Sequence, residues 1–326
     1  MQTRETELED FKTLIDLEAY AEAQGYVSDT RVRSRVSRTM KHPDGDKIII
    51  GMAAHDRHWI FCSIGDLTDN GSIIDFVQNR RGFNLGQVRK ELRPWLDRPT
   101  APLAEDRPRL QAAVVDLPGV RAVYEAAEPV AGRHPYLTDA RAVPAPLLAS
   151  ERFAGMMRSG ADGSVLFPHW NLERKVCGFE KKNTGFTGFA KGGQKGVWGS
   201  RRREGDRRLV IAETAIDALS HAALFPREDT RYCSIGGAMN PLQPGILHQL
   251  IRQLPEEGEV VAAVDHDDGG RSIAETLEAV FESVVAALSR GDLRFTRHCP
   301  DTEGQDWNDV LQAGVTPPPL PAPGPV

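Results

Sequence analysis

Cysteine is scarce in this chain. The four thiols among 326 residues, Cys62, Cys177, Cys233 and Cys299, are widely spaced and form no Cys-x-x-Cys pair. That spacing argues against a disulfide framework and against a complete zinc ribbon. No apolar run reaches the roughly 18 residues a membrane-spanning helix needs, and no charged-then-apolar leader follows Met1. Neither a membrane span nor a secretory signal is indicated, so a cytoplasmic location is expected. Also missing are a Walker Gly-x-x-x-x-Gly-Lys-Ser/Thr loop, a Gly-x-Gly-x-x-Gly turn and a Ser/His/Asp constellation. The remainder is ordinary for a globular protein of two or three domains, with 40% hydrophobic and 26% charged residues.

The formal net charge of -6 is unevenly spread. Residues 150–208 carry thirteen Lys/Arg against six Asp/Glu, a balance of +7, whereas residues 209–312 carry seven against eighteen, a balance of -11. Either segment alone suits a solvated face. In succession they fit phosphodiester chemistry, which needs cations against a backbone and acids for metals.

The acidic half is built around Val260-Val261-Ala262-Ala263-Val264, a run without polar alternation that ends in Asp265-His266-Asp267-Asp268-Gly269-Gly270. Such a run suits a parallel strand covered on both faces, and in open α/β sheets ligands bind beyond the carboxyl ends of such strands. Asp265 and Asp267 stand two apart, a spacing from which both can serve one Mg²⁺ directly or through water. The same residues would equally serve as a turn capping a helix over 272–288. A second run, Leu209-Val210-Ile211-Ala212, ends in Glu213 and leads into a helical pattern over 215–224. Between the two lies a short strand, Tyr232-Cys233-Ser234-Ile235, followed by Gly236-Gly237, which permits a tight turn or a close approach to a ligand. A doubly wound sheet would set Glu213 beside Asp265 and Asp267.

The order strand-Glu-x-x-x-Asp-Ala-Leu, strand-Gly-Gly, strand-Asp-x-Asp-x-x-Gly over residues 208–285 resembles the Toprim domain of bacterial-type primases, topoisomerases and several nucleases. The resemblance implies an α/β fold with a C-terminal, mainly parallel Toprim sheet. It also implies Glu213, Asp265 and Asp267 as catalytic, Mg²⁺- or Mn²⁺-holding residues, with Gly236, Gly237 and Gly270 shaping the backbone near them. An Asp-Trp-Asn-Asp element at 306–309 also recurs in Toprim proteins of this kind. Its Asp306 is expected either to join the metal site or to cap the closing helix.

Upstream, Tyr136-Leu137-x-x-Ala140-Arg141, Phe167-Pro168, Gly178-Phe179 and a Lys before an aromatic resemble the segment preceding Toprim in primase cores and in Toprim proteins of plasmids and other mobile elements. That resemblance implies an α+β segment whose Lys181, Lys182, Lys191, Lys195, Arg201, Arg202 and Arg203 line a groove for single-stranded DNA. A solvated basic face is the alternative. Near the amino end, an aromatic strand at 58–62 and a Gly71-x-x-x-Asp75-Phe76 helix resemble the zinc-ribbon domain of the same primases. That family uses three Cys and a His. Here only Cys62 stands near a ligand position and Gly65 stands where its partner thiol would be, so Zn²⁺ is not expected. Arg31, Arg33 and Arg35, if on a strand, would share one face for phosphates or protect a solvated edge.

The expected organisation is a ribbon-like α+β domain over 1–98, a linker over 99–118, a basic α+β segment over 119–207, the Toprim domain over 208–313 and a Pro-rich tail over 314–326. The expected function is a Mg²⁺-dependent primase-like nucleotidyltransferase taking nucleotides and single-stranded DNA, with a helicase or a replication or mobilisation protein as partner. Two alternatives stand beside it: a Toprim nuclease or DNA-processing factor of a mobile element, and a non-catalytic nucleic-acid-binding module. A topoisomerase is not expected, since five tyrosines in 326 residues leave no convincing catalytic-tyrosine or strand-gating domain.

Overall fold

The computed structural model describes residues 4–32, 34–53, 55–96, 110, 111 and 114–314. Arg33, most of the expected linker and the Pro-rich tail beyond Gly314 lie outside the described residues. The chain divides into two compact units, one of residues 1–114 with 238–244, the other of residues 115–237 with 245–326. Among the described residues no helix is long and apolar enough to cross a membrane.

The first unit opens with α1 (Arg4–Leu14) and α2 (Leu17–Ala23). The periodicity over 7–24 reads as one helix, but Asp16 divides it. Its side chain accepts the N–H groups of Glu18 and Ala19, restarting the helix as an N-cap. A five-stranded sheet follows in the order β1 (Val27–Ser28), β2 (Ser37–Lys41), β3 (Lys47–Met52), β4 (Trp59–Ser63) and β5 (Asn70–Ser72). Then come α3 (Ile73–Arg81) and α4 (Leu85–Leu96), which pack with the first helices over the sheet around Phe11, Tyr20, Ile48, Phe61, Phe76 and Val88. Arg31 and Arg35 do not sit on a strand. Asp29 accepts the Arg31 N–H at 3.0 Å and Ser34 Oγ accepts those of Val36 and Ser37, so side-chain oxygens bend the segment between β1 and β2.

The second unit carries two sheets. The first is antiparallel in the order β10 (Phe186–Phe189), β9 (Val176–Asn183), β8 (Val165–Trp170), β7 (Arg158–Ser159), β6 (Glu128–Pro129), with α5 (Leu117–Ala126) packed on β9. A π-helical turn at Pro135–Ala140 and α6 (Ala145–Ala149) connect β6 to β7. The second sheet has the order β11 (Trp198–Gly199), β13 (Thr230–Ser234), β12 (Arg208–Ala212), β14 (Glu259–Ala263), β15 (Arg294–His298). All its pairs are parallel except the short edge strand β11. Its helices are α7 (Ala215–Leu224), α8 (Gln243–Ile251), α9 (Asp268–Leu288) and α10 (Trp307–Gln312). The two unbroken apolar runs are the central strands β12 and β14. Leu209 through Ala212 and Val260 through Ala263 are all buried, the signature of a sheet covered on both sides. Val210, Ala212, Tyr232, Val261 and Ala263 face one core with α7 and α10.

Two buried histidines fasten that core. His221 Nε2 and His298 Nδ1 lie 2.9 Å apart, against Phe225 and Trp307. Burial lowers the proton affinity of both, His221 well below its ordinary value and His298 to about 4. A histidine whose folded pKa is depressed binds fewer protons folded than unfolded. Its stabilisation is therefore complete above about pH 6.5 and is lost as pH falls toward 4. Wild type should lose on the order of 3 kcal/mol over that window relative to His298→Phe, measured by denaturant unfolding at a series of pH values. Parallel pH profiles for the two proteins would remove His298 from the acid response.

Candidate functional site

Adjacent parallel strands bring the acids together. Ala212 of β12 pairs with Ala263 of β14, so Glu213 and Asp265 emerge side by side at the carboxyl edge. The Asp265 backbone N–H donates to Glu213 Oε1 at 3.1 Å, which fixes the glutamate across the strand ends. A third carboxylate comes from the first turn of α7. Asp217 is buried, and its Oδ2 accepts the Thr214 hydroxyl at 2.6 Å while Thr214 caps the helix. Asp217 is a candidate site residue that the sequence reading did not single out. Its signal was present, because Thr214-x-x-Asp217 is a helix-start pattern directly after a strand that ends in an acid.

Asp267 and Asp306 contribute in another way. Asp267 Oδ1 accepts the Gly270 N–H at 2.7 Å and caps α9, and Asp306 Oδ1 accepts the Asp309 N–H at 2.7 Å in a capping box on α10. Both are near enough for their charge to raise the proton affinity of Glu213 and Asp265. Burial is the larger cause for Glu213, Asp217 and Asp265, and the neighbouring carboxylates add to it, so all three are pushed upward. Among the described residues, Asp217 Oδ1 and Asp265 Oδ1 are buried without a hydrogen-bond partner. Buried carboxylate oxygens without donors, in a cluster of like charge, are short of a cation.

Glycines set the close approaches. Gly236 and Gly237 have φ of +68° and +80°, and the Gly237 N–H donates to the Glu213 carbonyl at 3.0 Å. A Cβ on Gly236 would stand 2.9 Å from His169 Cε1. At Gly270 a Cβ would stand 2.0 Å from the Asp265 carbonyl oxygen, so α9 can start against the Asp265 turn only with a glycine there.

A cationic group from the antiparallel sheet adjoins these acids. Lys182 is buried and pairs with Glu180 Oε2 at 3.2 Å, and His169 Nε2 lies 3.2 Å from Glu180 Oε1. Burial pushes Glu180 up, but Lys182 and His169 outweigh it and hold the carboxyl at about 2. The Lys182 charge in turn lowers the proton affinity of Asp217. Lys195 Nζ donates to the Gly236 carbonyl at 2.7 Å, and burial brings its pKa down to about 8. The other basic residues are dispersed. Lys181, on the face of β9 opposite Lys182, pairs with Asp162 at 2.6 Å, and Lys191 is exposed. Arg201 donates to the Ala154 carbonyl, Arg202 to Gln253, and Arg203 to Glu151 and Glu228. Arg31 is held by Asp29 at 2.7 Å, and Arg35 is exposed in the first unit.

Both family-model matches fall on this unit. Residues 210–311 match the family model described as Toprim-like. Residues 210–311 form a Toprim-like domain. Residues 135–207, directly before it, match the model of a protein family of unknown function, DUF3991. The curated proteins give no match. Among solved structures, the primase fragment of the bacteriophage T7 primase-helicase protein is similar at 15% identity and a TM-score of 0.36, over 71% of this chain and 81% of that one. The Aquifex aeolicus primase, with its zinc-binding and RNA polymerase domains, is similar at 13% identity and a TM-score of 0.33, over 94% of this chain and 82% of that one. The DnaG primase catalytic domain bound to single-stranded DNA is similar at 15% identity and a TM-score of 0.34, over 60% and 75% of the two chains. Likeness at this level carries no statement about activity.

The donor set of the Toprim-like domain fits Mg²⁺. All its candidate ligands are carboxylate oxygens, hard donors, and two of them are orphaned in the interior. Among the described residues no three His, Cys, Asp or Glu side chains are grouped closely enough to hold one ion by themselves. One or two protein carboxylates completed by waters and substrate phosphates is the usual way this ion is held.

Proposed function

We propose that the protein is a Mg²⁺- or Mn²⁺-dependent, primase-like nucleotidyltransferase that takes nucleotides and single-stranded DNA. The observation that carries this reading is the cluster of Glu213, Asp217 and Asp265 at the carboxyl ends of neighbouring strands, with two buried oxygens left without donors. Glu213, Asp265 and Asp267 would hold the metal in part through water, with Asp217 behind them and Asp306 adding charge. When bound, the ion would neutralise the cluster and polarise a phosphoryl oxygen.

The chain's own residues supply the rest of the chemistry. Glu213, oriented by the Asp265 N–H and raised in proton affinity, is suited to take a proton from an attacking hydroxyl. Lys195, held at the Gly236 carbonyl beside the double-glycine turn, stays mostly protonated at neutral pH and can face a phosphate. Lys182 is committed to Glu180, so it balances charge around Asp217 rather than meeting the nucleic acid. Exposed Lys191 and the Arg201 to Arg203 run are left to contact the strand, with Arg31 and Arg35 as further cations. A helicase or a replication or mobilisation protein of a plasmid or other mobile element, acting in the cytoplasm, completes the reading.

The test is incubation of the full chain with single-stranded DNA, labelled ribonucleotides and Mg²⁺ or Mn²⁺, beside Glu213→Gln. The expected result is labelled oligomers that the variant does not make. DNA shortening without incorporation would make the protein a nuclease. Retained DNA binding with no product would make it a non-catalytic module. Either of these overturns the proposal.

A further inference from the structure

The second unit holds a cavity of about 260 Å³ bounded by α8, the β11 and β13 edge of the parallel sheet and the turn after β8. Alternation along β13 sets its position. Tyr232 points into the core with α7, so Arg231 and Cys233 point to the opposite face, where α8 and the turn after it close the far wall. This is a different place from the carboxylates. Arg231 pairs in register with Leu209, near the start of the strands, whereas Glu213 and Asp265 follow their carboxyl ends. The inference therefore does not rest on the carboxylates, although two of the cavity's lining residues, Arg201 and Arg202, belong to the run proposed above to contact the strand.

The lining is cationic on one side and apolar on the other. Arg174, Arg201, Arg202 and Arg231 line the cavity, and among its described lining residues there is no Asp or Glu. Two guanidiniums converge on one neutral atom: Gln253 Oε1 accepts from Arg231 Nη1 at 3.2 Å and from Arg202 Nη1 at 3.3 Å. Two further donors, Arg231 Nε and Trp170 Nε1, are buried without a partner among the described residues. The nearby acids are engaged elsewhere. Asp206 accepts from the Arg152 guanidinium at 2.9 and 2.7 Å and from the Arg203 backbone N–H at 2.8 Å, and exposed Glu173 pairs with Lys175 at 2.9 Å. Burial, reinforced by the charges of Arg202 and Arg174, lowers the proton affinity of Arg231. A guanidinium withdrawn from water beside others, with N–H groups unmatched, is unfavourable until an anion meets it.

We propose that this cavity binds a phosphate monoester carried on a small organic group, such as a nucleoside monophosphate. The phosphate would sit between Arg202 and Arg231 at the Gln253 oxygen's position, and the organic group against Trp170, Ile246 and Leu250. Convergent planar guanidiniums favour a multiply charged oxyanion over a single carboxylate. The size sets the scale of the ligand: the volume falls just under the roughly 300 Å³ at which pockets for drug-sized ligands begin, enough for one nucleotide and not for a strand.

The test titrates the full chain with uridine monophosphate, uridine and inorganic phosphate, in EDTA so that metal-dependent binding at the carboxylates is suppressed. Calorimetry and Trp fluorescence are read together, with Trp170→Phe identifying the Trp170 signal. Uridine monophosphate should bind with a Kd below about 1 mM and uridine should not. Arg202→Ala, a change at an exposed residue, should weaken binding about tenfold, and Arg231→Gln should do so by at least as much. Competition by a 5′-phosphorylated oligonucleotide, and not by its 5′-hydroxyl twin, would assign the phosphate to a strand end. Competition by neither oligonucleotide would assign it to free nucleotide. Equal binding of uridine and uridine monophosphate, no binding at about 10 mM, or binding indifferent to Arg202→Ala would overturn the proposal.

Discussion

Asp265→Asn is expected to lower metal-dependent turnover by about a thousandfold while making the metal-free protein more stable. Both effects have one cause. Asp265 emerges at the carboxyl end of β14 with one oxygen buried and unpartnered, beside Glu213, Asp217, Asp267 and Asp306. Without a cation, each added negative charge there is opposed by burial and by its neighbours. Removing one charge while keeping the side-chain shape relieves part of that opposition, about 1–2 kcal/mol on the scale of a buried unsatisfied polar group. The same removal takes away a ligand for the ion that would stabilise charge on a phosphoryl group. Thermal unfolding in EDTA and in Mg²⁺ separates the contributions. Mg²⁺ should raise the melting temperature of wild type and leave Asp265→Asn unmoved, by the linkage between binding and folding. A variant less stable than wild type in EDTA would show that Asp265 is a structural acid whose charge the fold needs. A variant that keeps its turnover would take Asp265 out of the chemistry.

How far this arrangement could be read from the chain depends on what the pattern encoded. The runs at 209–212 and 260–263 were legible because a strand covered on both faces has no polar alternation, and the acid after each marks where the cover ends. Their adjacency in the sheet follows from the short strand between them pairing on the far side of β12. Asp217 was harder to see as a site residue because a carboxylate in a helix's first turn is commonplace, and only the sheet's position makes it face Asp265. Lys182 shows the opposite failure. Taken with Lys181 as part of a basic groove, it faces inward to Glu180, as the two-residue period of a strand requires of one member of any adjacent pair. Helix α8 was not anticipated at all. It follows Asn240-Pro241 and carries Pro244 and Gly245 in its first turn, a composition that reads as loop until Asn240 Oδ1 is seen accepting the Leu242 and Gln243 N–H groups. The cavity that α8 encloses was for that reason invisible in the sequence.

In the first unit the largest expected effect belongs to Arg80, near the end of α3. Its guanidinium reaches three separate stretches of chain. Nε donates to Tyr26 Oη at 2.7 Å, Nη2 pairs with Asp46 at 2.8 Å and with Asp69 at 2.9 Å, and the plane lies 4.2 Å from the Phe76 ring centre and 4.9 Å from that of Phe61. The Tyr26 hydroxyl donates in turn to Asp46, and Asn79 Nδ2 donates to Asp69 at 2.8 Å. One cation thus ties the connection between α2 and β1, the turn before β3 and the loop between β4 and β5 to a single helix. Arg80→Met keeps the stem that packs on Phe76 but leaves two half-buried carboxylates with no counter-ion. That loss should destabilise the unit by about 3 kcal/mol, the scale for breaking a desolvated ion pair from one side. Arg80→Lys restores the charge without the fork or the stacking plane and should recover only part of it. Adding Asp46→Asn and Asp69→Asn to Arg80→Met should restore stability, since the penalty lies in the uncompensated acids rather than in a lost contact. Denaturant unfolding of the four proteins decides between these accounts. An Arg80→Met protein within about 1 kcal/mol of wild type would reduce the network to an exposed surface pair.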